Sequence, residues 1–197
     1  TKEHIDWHKQ LVAAITKSNN RVSQQLKDTG ASTLSLIVFP YAKQLPTAAH
    51  IGDSKIFGIS SETRFAQLTK DQTVGAQLNE LGAPSTLESG RDPRSDKALA
   101  QYMGMLETPS PQVFQIEDNW KAVMIASDGI TEAIQSLQPS GWNKLFTTSR
   151  DSADFLRKTL FLSNWFGGHD NCTIILIPAE QDSPRRASTG IGRIIAS

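Results

Sequence analysis

Apolar residues recur at helical spacing along the start of the chain. Ile5, Leu11, Val12, Ile15, Val22 and Leu26 are separated by polar side chains. This predicts an amphipathic helix over 1–28, with Gly30 just beyond its end. The period then changes. Residues 31–39 open with alternation and finish as an apolar run, the pattern of a strand. Residues 48–59 read as a second strand with Gly52-Asp53-Ser54 inside it. Residues 64–68 read as a third strand, returning after a turn at 60–63. Thr69-Lys70-Asp71-Gln72-Thr73 leaves that strand and caps a short helix over 74–81, which Gly82-Ala83-Pro84 stops.

The polar stretch 84–97, between Pro84 and Lys97, is rich in Ser, Gly, Pro, Arg and Asp. It reads as an exposed loop, long enough to suggest a functional role. Residues 98–105 show no clear period. Residues 113–116 and 121–126 read as a hairpin around Glu117-Asp118-Asn119-Trp120. Helical stretches are expected at 130–137, 142–146 and 152–164, the last with Phe155, Leu156, Leu160 and Phe161 on one face. A loop at 167–171 leads to a β-branched strand over 172–177. Beyond Pro178 the chain turns to Ser, Arg, Gly and Ala, so 1–178 is read as the domain and 179–197 as a tail or linker. Clustered strands joined by short turns point to antiparallel pairing, hence an α+β fold.

Composition narrows the function. With 38% hydrophobic and 20% charged residues, the 197-residue chain suits one ordinary globular core. Its net charge of zero gives no global basic field to attract nucleic acid, which leaves only a local patch to do so. The single cysteine, Cys172, cannot form an internal disulfide, so a reducing, cytoplasmic setting is expected. Apolar runs are too short to span a membrane. The chain opens at Thr1 without a signal-like segment, and native sequence is expected upstream.

Three aspartates carry the candidate chemistry. Asp128 follows the apolar run 123–126 and precedes Gly129; Asp53 lies in His-Ile-Gly-Asp-Ser; Asp170 lies in Gly-Gly-His-Asp-Asn. A carboxylate between an apolar strand and a glycine is poorly solvated, and a second one nearby would repel it. A divalent cation relieves that repulsion. Oxygen ligands suit Mg²⁺ or Mn²⁺, and two such ions fit in-line phosphoryl hydrolysis. Each aspartate also has a plainer reading. Asp53 can bond local amides, Asp128 can cap a helix starting at Ile130, and Asp170-Asn171 can be a simple turn. His169 reads as an exposed loop histidine.

Read together, the motifs resemble those of the metal-dependent, type 2C serine/threonine phosphatases. Ala31-Ser32-Thr33 resembles the family's Gly-Ser/Thr-Thr segment, and His50 to Phe57 its Gly-Asp-Ser-Arg strand. Leu68-Thr69-Lys70-Asp71-Gln72-Thr73 resembles Leu-Thr-x-Asp-His-Ser, and Met103-Gly104 the Leu-Gly segment. Ala126-Ser127-Asp128-Gly129-Ile130 matches Ser-Asp-Gly-Leu, and Asp170-Asn171-Cys172-Thr173 matches Asp-Asn-x-Thr. They fall in family order across residues 1–178.

The resemblance implies an antiparallel β-sandwich flanked by helices. It also implies hydrolysis of phosphoserine or phosphothreonine in proteins by a metal-activated water, without a phosphoenzyme. It implies two Mg²⁺ or Mn²⁺ ions held by Asp128 and Asp170, with Asp53 joining Asp128 at a third metal position. No catalytic side chain beyond these ligands is implied. The partner would be a phosphoprotein, opposing a serine/threonine kinase, and the loop 84–97 would be the family's flap. Two departures stand out. The family's early acidic residue and Asp-Gly-x-Gly-Gly motif are not in this chain, so several strands and half the metal shell either lie upstream of Thr1 or are lost in a degenerate member. Gln72 stands where the family has histidine. A phosphatase-like regulatory or interaction domain without catalysis is the alternative; an unrelated α+β binding domain is a third.

Overall fold

The computed structural model describes residues 5–27, 29–40, 45–60, 65–83, 93–117, 119–132, 137–166, 170–179 and 194–195. The elements run α1 (Trp7–Leu26), β1 (Leu34–Val38), β2 (Thr47–Ile51), β3 (Lys55–Ser60), β4 (Phe65–Gln67), α2 (Val74–Glu80), α3 (Pro93–Asp96) and β5 (Gln112–Gln115). They continue with β6 (Trp120–Ala126), α4 (Asp128–Thr131), α5 (Pro139–Thr147), α6 (Ser152–Trp165), β7 (Thr173–Pro178) and β8 (Ile194–Ile195). All strand pairs are antiparallel, and the fold is α+β as expected. Among the described residues, no helix is long and apolar enough to cross a membrane. The chain divides into two compact units, residues 1–54 with 70–117, and residues 55–69 with 118–197.

The first unit holds the sheet β1-β2-β5 and helix α1. Asp6 caps the helix by accepting the Lys9 amide at 3.2 Å, and Lys27 ends it in the left-handed region. Leu11 and Ile15 bury against Ala49, Ile51 and Met103, with Leu34, Leu36, Val38 and Val113 around them. Asn19 lies on the same helix face and is fully buried. Its amide donates to the Met105 carbonyl at 2.9 Å, and its Oδ1 accepts the Gly104 amide at 2.7 Å. This explains the segment without a period. Residues 103–105 take their hydrogen bonds from α1 and from Ser32, so no repeating pattern is required.

The second unit holds the sheet β4-β3-β6-β7-β8. Phe57, Phe65 and Trp142 form a stack that fixes α5 on the sheet, with Phe65 and Trp142 rings 5.0 Å apart and nearly parallel. Trp120 lies over Gly58 so closely that a Cβ there would sit 2.4 Å from the indole. Helix α6 buries Phe155, Leu156, Thr159 and Ser163. Phe161 does not join them: it is 62% exposed and stacks on Trp165 instead. At 3.6 residues per turn, position 161 falls nearly opposite the stripe 155–159–163.

Two sequence expectations fail for one physical reason. Residues 48–59 are not one strand, and 113–126 is not a hairpin. β2 and β5 belong to the first sheet, β3 and β6 to the second. The break in 48–59 is at Gly52, whose φ of +108° suits glycine alone. A Cβ there would also meet Thr33 Cγ2 at 2.5 Å. Gln72 holds the corner from both sides: its side-chain oxygen accepts the Gly52 amide at 3.0 Å, and its own amide donates to the Gly52 carbonyl at 2.8 Å. At the other crossing, the Ile116 amide closes the first sheet on the Pro46 carbonyl before the chain moves on to β6.

Within 84–97, residues 84–92 lie outside the described residues, and Pro93–Asp96 forms the short helix α3. Of 179–197, Ala179 donates to the Lys121 carbonyl and Ile194–Ile195 pairs with Thr173–Ile174.

Gln72→Ala is expected to leave the buried Gly52 amide without its acceptor and to cost about 1–3 kcal/mol, measured by urea unfolding. A second expectation concerns Asp154 at the start of α6. The Arg150 amide and the Lys158 ammonium both bond its carboxylate, at 3.0 and 2.9 Å, and hold its pKa at about 2 against an ordinary 3.8. The folded state therefore resists protonation more than the unfolded chain. The stabilisation is complete above the ordinary value and is lost as pH falls from there towards 2. Asp154→Asn should flatten the dependence of Tm on pH across that interval and change it little near neutrality.

Candidate metal centre

The second unit brings Asp128 and Asp170 together through strand pairing. β6 and β7 are antiparallel neighbours with Ala126 opposite Ile174. The end of β6 therefore lies beside the start of β7, and each aspartate stands just outside its strand. The turns are then stitched. Ser127 donates its amide to the Thr173 carbonyl at 2.9 Å and its hydroxyl to the Asn171 carbonyl at 3.2 Å; its Oγ accepts the Thr173 amide at 3.0 Å. Gly129 permits the contact, since a Cβ there would meet the Asn171 carbonyl oxygen at 2.7 Å.

Asp128 is not the N-cap of its helix. It is the first residue of α4, and Ser127 holds the cap position without a side-chain cap bond. The Asp128 carboxylate accepts the Gly129 amide at 2.9 Å, and the Asp170 carboxylate accepts the Asn171 amide at 2.7 Å. Both bonds use Oδ1. Asp128 is half-buried and Asp170 exposed. The plain-turn reading of Asp170 thus describes its local bond correctly, while the joining of the two turns is the additional fact.

Asp53 belongs to the first unit. It is half-buried and follows the Gly52 corner. Around that corner the motifs of the first unit meet. His50, fully buried, shares Nδ1 with Ser35 Oγ at 2.9 Å and Nε2 with the Gly52 carbonyl at 3.0 Å. Thr33 Oγ1 lies 2.8 Å from Ser54 Oγ, and Ser32 bridges Met103 through main-chain bonds in both directions. Gln72 therefore has a defined task at the position where the resembled family has histidine. It also donates to the Ser110 carbonyl at 3.0 Å, so its amide group spans the corner and the 110 loop.

A polar groove of about 440 Å³ also lies in the first unit, lined by Lys70, Asp71, Gln72, Gln101, Ser110 and Gln112 among others. The side-chain oxygens of Gln101 and Gln112 are spent on the scaffold, accepting from the Ser110 and Lys70 amides. We assign it no chemistry. His169 lies outside the described residues.

The donor set fits a hard divalent cation in kind. Two carboxylates on adjoining turns are hard oxygen donors, which suit Mg²⁺ or Mn²⁺. Among the described residues, no group of three or more His, Cys, Asp or Glu side chains gathers at one place. Two carboxylates suffice for an ion that keeps several waters, the usual habit of Mg²⁺.

Comparison with solved structures identifies the fold. A serine/threonine phosphatase of S. agalactiae superposes with a TM-score of 0.75 at 21% identity, over 91% of this chain and 74% of that one. The PPM Ser-Thr phosphatase MsPP from Mycobacterium smegmatis, solved with cacodylate, gives 0.68 at 28% identity, over 86% and 73%. The catalytic domain of the phosphatase PstP, solved with two manganese ions, gives 0.66 at 20% identity, over 90% and 73%. No family model and no curated protein matches the chain. The chain thus has the fold of the PPM, or type 2C, serine/threonine phosphatases, and it resembles them in the order of its motifs.

Gly129→Ala should force the two aspartate turns apart. The added methyl meets main chain rather than a yielding side chain, so the expected loss is about 1–3 kcal/mol by denaturant unfolding.

Proposed function

We propose that residues 1–178 form a metal-dependent protein phosphatase domain that hydrolyses phosphoserine or phosphothreonine. The observation that carries this reading is the stitched pair of turns presenting Asp128 and Asp170, on a fold shared with PPM phosphatases. Asp128 and Asp170 would hold Mg²⁺ or Mn²⁺, as the neighbour with two manganese ions suggests. A bound ion of this kind supplies a water of lowered pKa and offsets charge on the phosphate. This chain's own residues then have three tasks. The two aspartates give hard oxygen ligands. Their Oδ1 bonds to the following amides orient each carboxylate. Ser127 and Gly129 hold the turns at close approach. Asp53 is assigned to a further metal position by its motif alone, and the substrate would be a phosphoprotein that a serine/threonine kinase has modified.

A second reading is a phosphatase-like regulatory domain without catalysis. It is favoured by the absence, among the described residues, of any group of three or more His, Cys, Asp or Glu side chains that could hold a metal ion.

An assay on a phosphoserine peptide with Mn²⁺ decides between them, run on this chain and on an N-terminally extended form. Activity in either form, reduced at least about 100-fold by Asp128→Asn, is the expected result for a residue that ligates the metal directly. Asp128→Asn at full activity would remove the site. Inactivity of both forms would favour the regulatory reading.

A further inference from the structure

A buried polar chain lies beneath the two aspartate turns of the second unit. Ser163, near the end of α6, is 0% exposed and shares a face with Phe155, Leu156 and Thr159. Thr159, four residues earlier, spends its hydroxyl inside the helix, on the Phe155 carbonyl at 2.9 Å. Ser163 does not. Its hydroxyl donates to the Gly129 carbonyl at 2.8 Å, one residue beyond Asp128. Its Oγ also lies 3.0 Å from Cys172 Sγ, and that sulfur lies 3.4 Å from the Asp170 carbonyl oxygen.

The protons can be counted. One O–H and one S–H serve three contacts. With the Ser163 proton on Gly129, Oγ is left to accept, and the weaker Cys172 S–H is shared between Ser163 Oγ and the Asp170 carbonyl. Helix α6 thereby grips the main chain at both aspartate turns. Ser127 ties the same turns through Asn171 and Thr173. Packing alone asks for no hydroxyl at 163, since alanine would fill that helix face. A buried hydroxyl is costly unless bonded, and this one is bonded outside its own helix.

We propose that Ser163 is a positioning residue for the metal-binding aspartates. Acting through Gly129 directly and through Cys172 to the 170–172 turn, it fixes the separation of Asp128 and Asp170. The inference rests on the reading of these two residues as metal ligands.

The test is Mn²⁺ titration calorimetry on the 197-residue chain, with ¹H–¹⁵N spectra of the metal-free protein. Ser163→Ala should weaken Mn²⁺ binding roughly tenfold, the low end for groups that orient metal ligands. It should also move the Gly129 and Asn171 amide resonances, because these amides donate to the two carboxylates. Cys172→Ala, which breaks the chain at its other end, should act in the same direction, and Cys172→Ser, which keeps a donor, should preserve wild-type affinity. Wild-type affinity and unmoved resonances in Ser163→Ala and Cys172→Ala, beside lost binding in Asp128→Asn, would overturn the positioning role and leave the metal site standing. Absence of Mn²⁺ binding in wild type and Asp128→Asn alike, in this chain and in the N-terminally extended form, would overturn the metal reading, and the proposal with it.

Discussion

β6 and β7 pair with Ala126 opposite Ile174, and the candidate centre depends on that register. Side chains alternate across a strand, so a slip of one residue would turn the inward set of β6 outwards and carry Asp128 with it. The register is over-determined. Met124, Ala126 and Ile174 are buried in one core, and Ser127 extends the pairing one step past the strand by exchanging bonds with Thr173. Hydrophobic burial and polar stitching therefore fix the same alignment. A site that needs two carboxylates at short range benefits from such agreement, because each carboxylate opposes the approach of the other.

The first unit solves a different problem. A continuous apolar segment has to leave one sheet and enter another, and Gly52 provides the backbone freedom to do so. Freedom alone does not define a corner. Gln72 supplies the definition by bonding both polar groups of Gly52, and His50 adds a contact to the same carbonyl. Histidine and glutamine can both reach a main-chain amide. The substitution at 72 relative to the resembled family is therefore compatible with an intact corner.

The helices and most strand interiors were legible because their causes are local. The segment ending in Thr73 reads as a cap and Thr73 acts as one in the structure, as Asp6 and Asp151 do for their helices. The three aspartates stood out because glycine and apolar runs flank them. Sheet membership was hidden, since the partition of β2 from β3 and of β5 from β6 follows from bonds between distant residues such as Gly52 and Gln72. Phe161 was misplaced because an apolar residue next to a buried stripe reads as part of it, whereas angular position sets it on the other side. Ser163 carried no signal. A serine on an apolar helix face is ordinary until its hydroxyl is seen to leave the helix.

The division of the chain has a consequence for how it folds. Neither unit is continuous: the segment 55–69 is lent by the middle of the first unit to the second, and the chain passes between units after 54, after 69 and after 117. Within the first unit Asn19 waits for Gly104, 85 positions away. Most native contacts therefore close long loops, whose entropy must be lost before the contacts form. A ribosome cannot complete the first unit until Glu117 has emerged. The second unit cannot close until β7 has emerged to pair with β6. Neither unit can therefore close on its first segment alone, and a break anywhere between residues 54 and 118 would strand pieces of both units at once.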